Sequence, residues 1–450
     1  MKKMKKQAIV FALGTTFMLT TVAPAVHAEQ AIPEVSNWAI EVLNEGEKFG
    51  IYPLNWYYED FQAPISVERL NTLMDLTEKK IASLNLKKND KFTPAVVKGD
   101  NTRGDIVNRL YNIVAQYDVN VSGDSVSYFQ QRQILRGDAL GLQLEKQATT
   151  EQAIIFATRL IKDTYAVAEQ GGKGIAWVVQ DEDTKIYLLG SIHIGIPDLY
   201  PMNPKLTKAF DESEGLFVEA NILDTEGMTY YMEKAIYSDG QTLKDAISEE
   251  TYAKLQKVAD AIGLSMEELN VQKPWLASNN LSLLTMDDAF GLTVEEMTLH
   301  GIDMQFLLTA MLQQKPIYEL EGTKAQVDMF EALSAEAQEQ SLVEVLDSIL
   351  EPVTNSEESV ALLESWFDSW KRGDVKAFTD SFVSMEGEQT EYDQMLFGKR
   401  DEEMAKKIVS VLENQAGTYF LVVGAGHFVV DKNIRYHLEQ SGYDVVPFYE

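Results

Sequence analysis

A chain of 450 residues with 45% hydrophobic and 24% charged residues is ordinary globular material, long enough for two or three domains with cores of their own. A formal net charge of −31 repels phosphates and anionic lipid heads, which argues against nucleic acid as a partner. The absence of cysteine removes disulfides, thiolate metal sites, a cysteine nucleophile and a lipid-modified N-terminal cysteine from consideration.

In chain order, Lys2, Lys3, Lys5 and Lys6 precede an apolar run from Ala8 to Leu19, and Val26 and Ala28 supply small residues ahead of Glu29. This pattern predicts a signal peptide over residues 1–28, cut after Ala28. The competing reading, a retained anchor, needs about 20 apolar residues, and Thr15, Thr16, Thr20, Thr21 and Pro24 interrupt the run. The expectation is a secreted, extracellular or cell-wall-associated protein with no stable membrane span after cleavage.

Residues 29–168 read as helical. Three segments look like distant copies of one another, each with an amphipathic helix opened by a Ser or Thr cap: Ser66, Thr102 and Thr149. Ile106, Leu110 and Ile113, with Val107 and Val114, mark the apolar face of the second copy; Ile154, Ala157 and Ile161 mark that of the third. Asn37-Trp38-Ala39, Gly50-Ile51 and the worn helix openings give residues 32–166 a resemblance to S-layer homology modules, which occur in threes. The resemblance implies cell-wall polysaccharide as a partner. The arginine that would reach the polymer is kept in one copy, as Arg103, and replaced by Val67 and Thr150 in the others. A helical domain that has kept the fold and lost wall affinity stays open beside it.

Gly171, Gly172 and Gly174 predict a flexible joint over residues 169–174. Beyond it, residues 175–450 alternate β-rich and helical stretches. Strands are expected at Ile175–Val179 and in "KIYLLG", "GLFVEAN", "KPIYELEG", "TYFLVVGAG" and "YDVVPFY", with long helical insertions between them. The fold class is therefore an α/β C-terminal domain with a mixed sheet, preceded by an all-α three-repeat domain.

Four polar residues share a placement at or just past a predicted strand end: His193, Glu219, Glu321 and His427. Open α/β sheets put ligand sites there. The glycine of each Gly-x-x-His lets the backbone leave the strand at an unusual dihedral and pass close to an ion or substrate. Two imidazoles and two carboxylates suit one divalent transition metal, which would keep a position for water. A lone strand-end histidine is more often structural; two such units in a chain with five histidines carry more weight.

Residues 175–450 resemble the TraB/GumN family, whose animal relatives include the Tiki proteins. The resemblance rests on "LLGSIHIG" with "LFVEANI", on "GIDMQFLLTAMLQQKPIYELEGTKAQ" and "LFGKRDEEMAKKI", and on "YFLVVGAGHFV" with "LEQSGYDVVPF". It implies a metal-dependent hydrolase that acts on an exported peptide or protein through metal-activated water. His193, His427 and Glu321 would be ligands to manganese, cobalt or zinc, with Glu219 as ligand or general base. Arg400 either stabilises an oxyanion or forms a salt bridge that fixes its helix. It is followed by Asp401 where the family has Asn, which leaves that neighbour's role open. Gln326 matches a substrate-binding position, against the reading of a solvent-facing helix residue, and Asp303 reads as a helix cap. His27, His300 and His437 are expected outside the site. Trp366 and Trp370, four apart on one helix, read as core or rim. The alternative function is a non-catalytic binding or regulatory protein of the same fold that sequesters a signalling peptide, a metal or a small ligand.

Overall fold

The computed structural model describes residues 34–286, 289–350, 352–383 and 390–450; the predicted leader and His27 lie outside them. Two compact units emerge. One comprises the helical residues up to Gly172 together with Pro197–Lys208; the other comprises Lys173–Ile196 and Ala209–Glu450. The Gly-rich joint is held by hydrogen bonds: the Gly172 N–H donates to the Pro201 carbonyl at 2.9 Å and the Lys173 N–H to that of Lys371 at 3.0 Å. No helix among the described residues is long and apolar enough to cross a membrane.

In the helical unit all three caps form as the sequence predicts. Ser66 accepts from the Arg69 N–H ahead of the helix Val67–Ala82, Thr102 from that of Asp105 ahead of Arg103–Ala115, and Thr149 from that of Gln152 ahead of Thr150–Val167. The segments leading into these helices bond to one another: Ile65 N–H to Ala148 O, and Arg103 N–H to Lys146 O. Every apolar position predicted from the three-and-four spacing is buried, among them Ile106, Leu110, Ile154 and Ile161 at 0% exposure.

The second unit is built on a six-stranded sheet: β1 (Ile175–Gln180), β2 (Thr184–Ser191), β3 (Gly215–Val218), β4 (Ile317–Glu319), β5 (Gly417–Gly424) and β6 (Val445–Pro447). Their order across the sheet is β4-β3-β5-β2-β1-β6. β1 and β2 form an antiparallel hairpin, closed by the Asp181 carboxylate accepting from the Asp183 and Thr184 N–H groups. β2, β5, β3 and β4 all run parallel. The buried faces of β2, β3 and β5 leave little room for alternation, which is why their sequences read as continuous apolar runs. β5 enters the sheet late in the sequence and pairs between β2 and β3, so the chain segments that leave these three strands sit side by side at their carboxyl ends.

Candidate functional site

Sheet register brings the sequence-distant residues together. Ser191 pairs with Gly424, so His193 and His427 leave neighbouring parallel strands two and three residues past that pair. Val218 pairs with Val422, which places Glu219 beside Gly424, whose N–H donates to Glu219 Oε1 at 2.6 Å. The chain past β4 folds back onto the same residue: the N–H groups of Glu321 and Gly322 both donate to the Glu219 carbonyl at 2.9 Å. Two carboxylates that lie a hundred residues apart in sequence thus stand next to each other.

Neither Gly190 nor Gly424 has a positive φ, so the expected unusual dihedral is not why glycine stands there. At Gly190 the reason is close approach, since a Cβ would lie 3.1 Å from the Ala425 Cα, and the Gly190 carbonyl accepts the Trp370 indole N–H at 2.6 Å. Further along the turn, a Cβ on Gly195 would collide with the carbonyl of His300, and one on Gly301 with that of His193. The Gly195 N–H donates to Met297 O at 2.8 Å and the Ile302 N–H to Ile192 O at 2.9 Å, seating the His193 turn on the start of the helix Ile302–Leu312.

That seating gives Asp303 its task. The helix makes no side-chain capping bond; the Asp303 Oδ1 instead lies 3.0 Å from His193 Nδ1. The Asp303 charge acts directly on the buried ring at this distance. Burial pushes the His193 imidazole toward the neutral form, but the negative charges of Asp303 and Glu219 outweigh it and its pKa is raised above the ordinary value. On the other imidazole, His427 Nδ1 lies 2.6 Å from Asp401 Oδ1, with both residues fully buried and Phe397 edge-on to the ring at 5.2 Å. Asp401 is the third residue of the helix Lys399–Asn414, and its other oxygen accepts the Gly398 N–H at 2.9 Å. The Nε2 atoms of His193 and His427 are both buried without a hydrogen-bond partner among the described residues.

Arg400 ties the acids together. Its Nε donates to Glu321 Oε1 at 2.8 Å and its Nη2 to Glu321 Oε2 at 2.6 Å, a two-pronged pair; Nη2 also reaches Glu219 Oε2 at 3.0 Å, and Nη1 donates to Leu396 O at 2.9 Å. This is the salt-bridge role, made with two acids of the site. Burial raises the Glu321 carboxyl, but Arg400 prevails and holds it below the usual carboxylate range; burial likewise opposes the Arg400 charge, and Glu321 with Glu219 drives its pKa up instead. Gln326 is fully buried, not solvent-facing, and its amide donates to Glu321 Oε2 at 3.0 Å and Glu219 Oε2 at 3.3 Å.

Glu321, expected as a metal ligand, therefore gives both oxygens to Arg400. Glu219 is closer to that task, with Oε2 3.8 Å from His427 Nε2. Among the described residues no group of three or more His, Asp or Glu side chains is drawn close enough to hold an ion. The chemistry of the pocket nevertheless fits a cation: Asp303, Asp401, Glu219 and Glu321 bring four carboxylates, Arg400 brings one positive charge, and two imidazole nitrogens stand unpaired.

His300 is buried with Nδ1 on Glu296 O at 2.7 Å, and His437 lies on the helix Ile434–Gln440. Trp366 and Trp370 are fully buried core residues. Arg103 turns inward: its Nε donates to Leu142 O at 2.9 Å, its Nη2 to Arg136 O at 3.1 Å, and its guanidinium lies over the Phe156 ring. Sequence reading takes Asp303 for a helix cap and leaves the role of Asp401 open; it misses their contacts with the imidazoles, whose only local signal is an acid just inside a helix that opens with glycine.

An α/β unit with paired Gly-x-x-His turns and a buried acid cluster at the ends of its parallel strands defines the class of protein. The chain belongs to the TraB/PrgY/gumN family, which matches residues 175–447. It is similar to uncharacterized protein YbaP of Escherichia coli (strain K12), 26% identical over 248 residues, covering 55% of this chain and 85% of that protein. It is also similar to metalloprotease TIKI2 of Xenopus tropicalis, 22% identical over 304 residues, covering 58% of this chain and 57% of the relative. The metalloprotease TIKI homolog of Amphimedon queenslandica is 23% identical over 308 residues, covering 58% and 59%. The chain spans less than two thirds of the length of these two metalloproteases. No solved structure matches it.

Proposed function

We propose that the chain is an exported metal-dependent hydrolase of the peptidase type, its substrate an extracellular peptide or protein. The observation that carries this reading is the excess of buried negative charge around two unpaired imidazole nitrogens, an environment that stabilises a bound cation. The similarity to two proteins named metalloproteases supports the peptidase class, and the leader pattern of residues 1–28 supports export.

His193 and His427 would hold the metal through Nε2, with Glu219 as the nearest carboxylate. When bound, such an ion supplies an acidified water and polarises a carbonyl. The chain's own groups prepare the rest. Asp303 and Asp401 hold the imidazoles from behind, Arg400 and Gln326 bind the two glutamates together, and burial excludes competing water. Glu219 is the group placed to take a proton from a nucleophile held near His427.

A second reading is sequestration of a peptide, metal or small ligand without turnover. It is favoured by one feature: Arg400 and Gln326 already occupy Glu219 Oε2.

The deciding measurement is metal content by elemental mass spectrometry of the full chain purified without chelator, beside His193→Ala and His427→Ala. About one equivalent in the parent and little in either variant is the expected result, to be followed by a peptide-library cleavage screen. Parent protein that takes up no manganese, cobalt or zinc when these are supplied would overturn the hydrolase reading. A loaded parent that cleaves nothing in the library would favour sequestration.

A further inference from the structure

We infer that Asp401 is a positioning residue that fixes His427 as the Nδ1–H tautomer and so keeps the Nε2 lone pair aimed toward Glu219. The inference deepens the metal reading, on which only its consequence for metal affinity rests.

The geometry leaves Asp401 little alternative. Both of its oxygens are engaged by groups it must accept from: Oδ2 by the Gly398 N–H at 2.9 Å, and Oδ1 by His427 Nδ1 at 2.6 Å. With Oδ2 already taken by an N–H donor, the arrangement that lets Asp401 accept at both oxygens puts the ring proton on Nδ1. With the proton on Nδ1, the nitrogen left as acceptor is Nε2, which has no hydrogen-bond partner among the described residues and lies 3.8 Å from Glu219 Oε2. Full burial of both side chains removes water as a substitute partner.

Asparagine, the residue that the family resemblance would put here, cannot reproduce the arrangement. It has one oxygen for two donors. Either the helix Lys399–Asn414 loses its bond to Gly398, or an amide N–H faces Nδ1 and drives the imidazole proton to Nε2. The same helical turn carries Arg400, which holds Glu321 and Glu219. Through these adjacent residues one helix start sets both the acids and one imidazole of the site. Asp303 approaches His193 Nδ1 at 3.0 Å, a longer contact than the 2.6 Å at His427, so the tautomer constraint is stronger at His427.

The test is long-range proton–nitrogen NMR of the full, metal-free chain with labelled histidine, in parent and Asp401→Asn, the His427 signal being assigned by its loss in His427→Asn. The expected result is Nδ1–H in the parent and a shift toward Nε2–H in Asp401→Asn, together with roughly 10- to 100-fold weaker zinc or manganese binding in a chelator competition. An Nε2–H proton on His427 in the parent overturns the proposal, whether or not the variant folds; so does an unchanged Nδ1–H in a folded variant. A tautomer that switches as expected in a protein that binds neither metal leaves the positioning role standing and removes the metal reading.

Discussion

Arg400 and Glu321 form a two-pronged ion pair, 2.8 and 2.6 Å, in which the guanidinium is 5% and the carboxylate 11% exposed. The pair joins the start of the helix Lys399–Asn414 to the end of β4, and breaking a buried pair by removing one partner costs about 3–5 kcal/mol. Arg400→Met, which takes the guanidinium charge away from Glu321 and Glu219, is expected to lose stability of that order in urea unfolding. Because the folded Glu321 carboxyl lies below its unfolded value, its contribution is present above the ordinary carboxylate range and disappears as pH falls through the folded value. The stability gap between parent and Glu321→Gln should therefore be widest near pH 7 and close in acid. A gap that persists unchanged at pH 2 would show that the charge of Glu321 contributes nothing.

The turn that carries His193 should tolerate no side chain at its two contact glycines. Gly195→Ala would put a methyl group into the His300 carbonyl, and Gly301→Ala would put one into that of His193. Backbone must shift in each case, so a loss of about 1–3 kcal/mol or more is expected. Gly240→Ala, at a glycine whose Cβ would meet nothing within 4 Å but whose φ is +89°, separates backbone strain from collision. Equal losses in all three variants would remove close packing as the explanation.

How much of this was legible beforehand depends on the range of the interaction that fixes each residue. All six strands stood out as apolar or β-branched runs, and the helix caps Ser66, Thr102 and Thr149 are local hydrogen bonds that a short stretch of sequence encodes. His193, Glu219, Glu321 and His427 were found because strand ends are a readable place. Arg400 and Gln326 were named beside them, whereas the carboxylates behind the imidazoles were not placed there. Asp303 and Asp401 sit in the first turn of their helices, where an acid is expected for the helix dipole alone, and only the tertiary approach of each imidazole distinguishes them. Gln326 reads as a substrate-binding position, against a solvent-facing residue, because polarity normally means exposure. It is buried because two adjacent carboxylates require amide donors.

Arg103 gives a direct contrast between wall binding and structural use. With two donors on backbone carbonyls and the guanidinium over Phe156, its substitution by alanine should cost the helical unit about 1.5–3 kcal/mol, the range for hydrogen bonds to charged groups. Retention on purified cell-wall polysaccharide, measured at a temperature where the variant remains folded, should be unchanged. Loss of retention without loss of stability would return Arg103 to the polymer.

Metal removal is the remaining prediction. A ligand that binds only the folded state adds RT ln(1 + [L]/Kd) of stability, about 2.7 kcal/mol at one hundred times Kd. Full chain treated with chelator should melt at a lower temperature than chain supplied with manganese, cobalt or zinc, and the increment should vanish in His193→Ala and in His427→Ala. Both imidazoles must be deprotonated at Nε2 to bind, and the raised pKa of His193 means a proton competes there further up the pH scale than at an ordinary histidine. The metal-dependent increment should therefore shrink as pH falls toward 6, while the chelated protein, in which His193 binds its proton more tightly folded than unfolded, gains stability over the same interval. An increment of equal size in the two alanine variants would locate the ion elsewhere and leave the paired imidazoles without a metal to hold.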